Sequence, residues 1–148
     1  MTINVRNVQK NLLLTKITKL TWKVNILAIV SSHPKHFAHR KAIRSTWGND
    51  FNNLHMIDSK LHGQIIFQVG LEPRTNEIDK LIKDESNQFG DILIQDIVEH
   101  YNNLTIKTVM LLKYLNHLSV IPSFVFKVCK LDVPNGFIAG AFLKHKTF

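Results

Sequence analysis

The stretch that decides the fold is ILAIVSSHPKHFAHRKAIRSTWG, residues 26–48. Five apolar residues, three of them β-branched, run into Ser31, Ser32 and Pro34, the composition of a buried strand closed by turn residues. Beyond Pro34 the apolar period changes: Phe37, Ile43 and Trp47 recur at helical spacing, and a proline suits the first turn of a helix. A strand at about 24–31 that hands directly to a helix at about 35–46 is the first half of a β-α-β unit.

Working outward, the same alternation repeats. Strands are expected at 64–70 (QIIFQVG), 91–95 (DILIQ) and 123–128 (SFVFKV), with helices at 76–88 and 103–118 between them. Asn76 followed by Asp79 suits the start of the second helix. The β-α-β-α-β-α-β series predicts an α/β fold, a mostly parallel sheet with helices on both faces. Ligands on such sheets bind outside the carboxyl ends of the strands.

A chain of 148 residues with 45% apolar and 20% charged content is ordinary globular composition for one domain. The net charge of +8 raises nucleic acid as a partner, but its distribution argues against it. Residues 1–23 carry five cations and no acid, residues 127–148 carry four lysines against Asp132, and the body between them is neutral. A duplex binder needs its basic face on the folded domain. The segment NLLLTKITKL is broken by lysines before it reaches the length of a membrane span, so no anchor or signal peptide is expected in the chain as it stands. Cys129 is the only cysteine, which excludes an internal disulfide, and it is expected to be a buried thiol at a strand end.

Three cations sit where apolar residues are expected. Arg40 and Arg44 fall on the arc that Phe37 and Trp47 share on the first helix, and Lys107 falls inside the arc of Leu104, Leu111, Tyr114, Leu115 and Leu118 on the third. Two readings stay open from the spacing: cations whose stems pack on the apolar face and whose heads reach water, or cations turned toward an anion, the arginines as a fork on a diphosphate. No glycine-rich phosphate loop and no zinc-type Cys/His spacing accompanies them.

HRKAIRSTWG (39–48), IIFQVG (65–70), FGDILIQDIVEHYNNLTIKT (89–108) and FVFKV (124–128) occur in the order and spacing of the β-1,3-galactosyltransferase and β-1,3-N-acetylglucosaminyltransferase family, which this chain resembles over roughly residues 24–128. The resemblance implies the Rossmann-like nucleotide-binding half of a GT-A glycosyltransferase fold. It also implies an inverting hexosyltransferase acting in protein or lipid glycosylation, with a UDP-sugar donor, a glycan acceptor and manganese. A type II Golgi membrane location is implied as well, through an anchor not seen in this chain. It places Arg40, Arg44, Asp96 and Lys107 at nucleotide-sugar-binding positions and turns the balance for the three cations toward the nucleotide.

The departure follows FVFKV, where the family has three aspartates and this chain has Cys129, Lys130 and Leu131. Asp132 is the nearest carboxylate and the one candidate metal ligand. Hard divalent ions prefer oxygen donors, so a disrupted metal site is expected. No carboxylate follows Asp132 in the sequence, and the catalytic base is not identified. Three segments result: a basic segment 1–23, a partial nucleotide-sugar-binding domain 24–128 and a divergent tail 129–148. The function expected is a transferase by descent that is inactive as this chain; the alternative is a non-catalytic remnant that binds a nucleotide sugar or a partner. Asn103-Leu104-Thr105 is an N-glycosylation sequon, set against the plainer role of Asn103 as a helix cap.

Overall fold

The computed structural model describes residues 23–72, 76–118, 122–130 and 138–144. Asp132, nearly all of the basic segment 1–23 and much of the tail lie outside the described residues. Five strands form one sheet: β1 (Ile26–Ser32), β2 (Gly63–Leu71), β3 (Ile92–Val98), β4 (Phe124–Lys130) and β5 (Ile138–Lys144). The helices are α1 (Phe37–Ser45), α2 (Trp47–Asn52), α3 (Asn76–Phe89) and α4 (Leu104–Asn116). The strand order is β3-β2-β1-β4-β5, with the first four parallel and β5 antiparallel to β4.

The strands read as near-continuous apolar runs because both faces of the parallel sheet are covered. On one face Leu27, Ile29, Ile66, Leu93 and Val125 pack against Leu111 and Leu115 of α4. On the other, Ala28, Val30, Ile65, Phe67 and Ile92 pack against Phe37 and Ile43 of α1, Trp47 and Phe51 of α2, and Ile82 of α3. The expected α/β architecture is therefore present, four parallel strands with helices on both sides. Right-handed crossovers account for the division of the helices. The sheet grows from β1 through β2 to β3 in one direction, and α4 lies on the opposite face because β4 returns to the other side of β1.

Several boundaries differ from the sequence reading: β4 runs on to Lys130, and β5 was not expected at all. The first helix begins at Phe37, with Pro34 buried in the turn before it, and stops at Ser45, where the Thr46 hydroxyl bonds back to the Ala42 carbonyl. A second, short helix starts at Trp47 and folds tightly against the first. A Cβ on Gly48 would lie 2.4 Å from the Ile43 carbonyl oxygen, so only glycine permits this approach. The third strand runs three residues further than expected, to Val98, because it stays paired with β2 past an irregularity between Val69 and Leu71. Gly90, with φ of 65°, makes the sharp turn from α3 into it. Leu104 is not part of the apolar arc of α4: it is 44% exposed, and Met110 is buried instead.

Candidate functional site

The order β3-β2-β1-β4 places a topological switch at β1. The chain leaves β1 toward β2 on one side, and β4 returns to its other side. In open parallel sheets the crevice at the carboxyl ends of the two strands flanking such a point is where ligands bind. Ser31, Ser32 and His33 stand at this end of β1, and Val128, Cys129 and Lys130 at this end of β4.

Arg40 and Arg44 are turned toward anions, and these are carboxylates of the protein itself. Arg40 is 0% exposed, so it does not snorkel, and its guanidinium is spent within the protein. Nε and Nη2 donate to the Glu85 carboxylate, Nη1 donates to Ser32 Oγ and the His33 carbonyl, and Nη2 also reaches the Pro34 carbonyl. This cross-link ties the turn after β1 to α3, with no donor left for a phosphate. Arg44 points toward the amino end of the sheet, where it pairs with both oxygens of Asp91 just before β3 and with Glu85 at 2.7 Å. Its guanidinium lies between Phe67 and Phe89, 4.8 Å and 4.0 Å from their ring centres. Burial disfavours both charges, yet hydrogen bonds and opposite charge outweigh it: Glu85 is held below the usual carboxylate range and Arg44 above the usual guanidinium value.

A carboxylate with a depressed folded-state pKa adds stability that is present above its unfolded pKa and is lost as pH falls through the folded one. Acid titration of thermal stability should therefore show a loss below the ordinary glutamate range, with Glu85 one contributor. Glu85→Gln should flatten that loss while lowering stability at neutral pH; an unchanged acid limb would remove Glu85 from the account.

On the opposite face, Lys107 is 3% exposed, and its Nζ donates to both oxygens of Glu99 at 2.9 and 2.7 Å. Glu99 in turn accepts from the Gly70 amide at the end of β2. The Lys107 carbonyl accepts from the side-chain amides of Gln68 and Gln95, which are buried and bonded to each other. Ser31 Oγ donates to Gln68 Oε1, so a polar row crosses β1, β2 and β3 beneath α4. Lys127 on β4 donates to Thr108 Oγ1 and extends the polar contacts of α4 to the far side of β1.

Asp96 lies within β3 rather than after it, exposed, on the outer strand and separated from β1 by β2. Asn103 occupies the cap position of α4, but its side chain does not cap; Nδ2 donates to the Val98 carbonyl and holds the helix start to the end of β3. An open groove of about 630 Å³ runs between α1 and α3, lined by Phe37, Lys41, Arg44, Leu81, Glu85 and Phe89. It is a seam between two helices, not the carboxyl edge of the sheet. Among the described residues no group of three or more histidine, cysteine or acidic side chains is arranged to hold a metal, and no helix is long and apolar enough to cross a membrane.

Comparison with known proteins decides the family. Residues 38–132, from α1 to just beyond β4, match the model of the galactosyltransferase family. The chain belongs to that family. It is 29% identical over 122 residues to the beta-1,3-galactosyltransferase bre-2 of Caenorhabditis elegans, covering 82% of this chain and 33% of that protein. It is 36% identical over 90 residues to a lactosylceramide 1,3-N-acetyl-beta-D-glucosaminyltransferase B of Danio rerio, covering 57% of this chain and 22% of that protein. Human beta-1,3-galactosyltransferase 1 is 32% identical over 90 residues, covering 61% and 26%. The galactosyltransferase-family chain thus spans about a third or less of the length of these relatives.

Sequence reasoning missed the partners of its own candidate cations: Glu85, Asp91 and Glu99, and the buried amides of Gln68 and Gln95. Glu85 had a legible signal. It falls on the helical arc of Ile78 and Ile82, an acid inside an apolar face, and so mirrors the arginines inside theirs. Gln68 and Gln95 each interrupt an apolar strand run, which is the mark of a polar group buried in a covered sheet.

Proposed function

We propose that this chain is the nucleotide-sugar-binding half of an inverting β-1,3-hexosyltransferase. A UDP-sugar lies along the carboxyl ends of the parallel strands and a glycan hydroxyl is the acceptor. One coincidence carries the reading: the family match covers the framework from α1 to β4, and that framework has its topological switch beside Ser32 and the end of β4. In this reading Arg40 and Lys107 are positioning residues. Arg40 fixes the turn from Ser32 to Pro34, and Lys107 holds Glu99 on the Gly70 amide, so both shape strand ends on which the nucleotide rests. Arg44 supports α1 from the other end, and Asp96, exposed on β3, accepts from a ligand hydroxyl in this reading. A Golgi membrane location belongs to the same proposal.

The residues at the end of β4 do not fit manganese. Cys129 and Lys130 bring a thiol and an ammonium, and their backbone is engaged in strand pairing with Ala139 and Ile138. Our reading is therefore a chain that binds the nucleotide sugar without transferring it. Calorimetry with UDP, and a labelled UDP-galactose and UDP-N-acetylglucosamine assay on a panel of acceptors, test both halves. Binding should be measurable and weakened about 10- to 100-fold in Asp96→Ala, the loss of one charge-assisted hydrogen bond. No turnover should exceed that of the same variant. Absence of UDP binding by folded chain overturns the binding half, and turnover overturns the other.

A further inference from the structure

We infer that His33 and Glu72 form a proton-operated latch between the carboxyl ends of β1 and β2. Glu72 follows β2, and its carboxylate is turned inward: Oε1 accepts from Lys35 Nζ at 2.8 Å, while Oε2 is buried with no hydrogen-bond partner among the described residues. An enclosed acceptor without a donor is costly, and it is also shut off from any ligand hydroxyl. His33 Nε2 faces it from 3.7 Å, too long for a hydrogen bond by less than 1 Å.

The other ring nitrogen explains why the gap stays open. His33 Nδ1 accepts from the Lys35 amide at 3.2 Å, so this nitrogen carries no proton and the ring is the neutral Nε2–H tautomer. Adding a proton at Nδ1 sets donor against donor and breaks that bond. It frees the ring from its own turn and makes it a cation facing Glu72. Closure then gives Oε2 its missing donor.

Among the described residues, the fixed cations facing this turn are Lys35 and Arg40, and the carboxylates are Glu72, Asp79, which accepts from the Glu72 amide, and Glu85, which Arg40 shares with Arg44. The rings of His33, His36 and His39 lie in a row, tilted and edge-on to one another, with centres 5.1 and 4.9 Å apart. Arg40 anchors the His33 and Pro34 carbonyls throughout, so movement is confined to the imidazole and the Lys35 amide. The latch stands independently of any nucleotide reading.

Two-dimensional NMR of the full chain tests this between about pH 7.5 and 5.5, the range in which imidazoles ordinarily titrate. The His33 ring and the Lys35 amide should shift with one common midpoint, and protection of the Lys35 amide relative to its intrinsic exchange rate should fall as the ring is protonated. Glu72→Gln should lower the midpoint by at least about half a unit, by removing the charge that draws the proton. A Lys35 amide that ignores the His33 titration overturns the latch, as does a midpoint unchanged in folded Glu72→Gln. Should that variant fail to fold, the common midpoint in the unaltered chain remains decisive.

Discussion

Arg40→Met is expected to lower the free energy of unfolding by about 3–5 kcal/mol, the usual consequence of removing one partner from a buried ion pair. The variant keeps much of the side-chain volume, so the loss is electrostatic and not a cavity. It leaves Glu85 with Arg44 alone and strips donors from Ser32 Oγ and the His33 and Pro34 carbonyls at once. Urea unfolding monitored through tryptophan fluorescence measures it, with an unchanged slope confirming that the denatured state is not the cause. Glu85→Gln in the Arg40→Met background should cost much less than in the parent, since the two groups share one network. A loss below about 1 kcal/mol, the range of exposed pairs, would show that Arg40 is not the anchor its burial indicates.

The fold was legible because its signal is periodic. Five apolar residues before Ser31, the change of period at Phe37 and the regular return of apolar runs determine alternation, and alternation determines a parallel sheet. The break between α1 and α2 was not legible, since Trp47 continues the helical arc of Ile43. What ends the first helix is a hydroxyl bonding backward and a glycine admitting a close carbonyl, both local events without a period. The end of β3 was obscured for a related reason. Asp96 looks like a departure from the sheet, and only pairing across an irregular β2 keeps it and Val98 in line.

At the site, sequence located the three unusual cations and could not say what they faced. Spacing gives the side of a helix on which a residue lies, while the identity of its partner depends on which element crosses that side. Arg40 meets Glu85 from 45 positions away, and Gln68 meets the Lys107 carbonyl from 39. Such pairings follow from the strand order, which a linear pattern does not contain. An acid on the apolar arc of α3 was the missing cue: opposite charges placed inside two apolar faces that must pack together are expected to find each other.

Lys107→Met should produce the second large loss, again about 3–5 kcal/mol, because it leaves Glu99 almost buried with the Gly70 amide as its remaining donor among the described residues. The remedy discriminates between roles. In Lys107→Met with Glu99→Gln the buried charge is gone, a neutral amide oxygen still accepts from Gly70, and most of the stability should return. The Lys107 carbonyl is untouched in both variants, so the Gln68 and Gln95 amides keep their acceptor and the polar row beneath α4 is preserved. UDP affinity should recover along with stability in the double variant if Lys107 acts by holding Glu99 at the end of β2. Restored stability with affinity still lost would instead make Lys107 a direct partner of the ligand, and would overturn its assignment as a positioning residue.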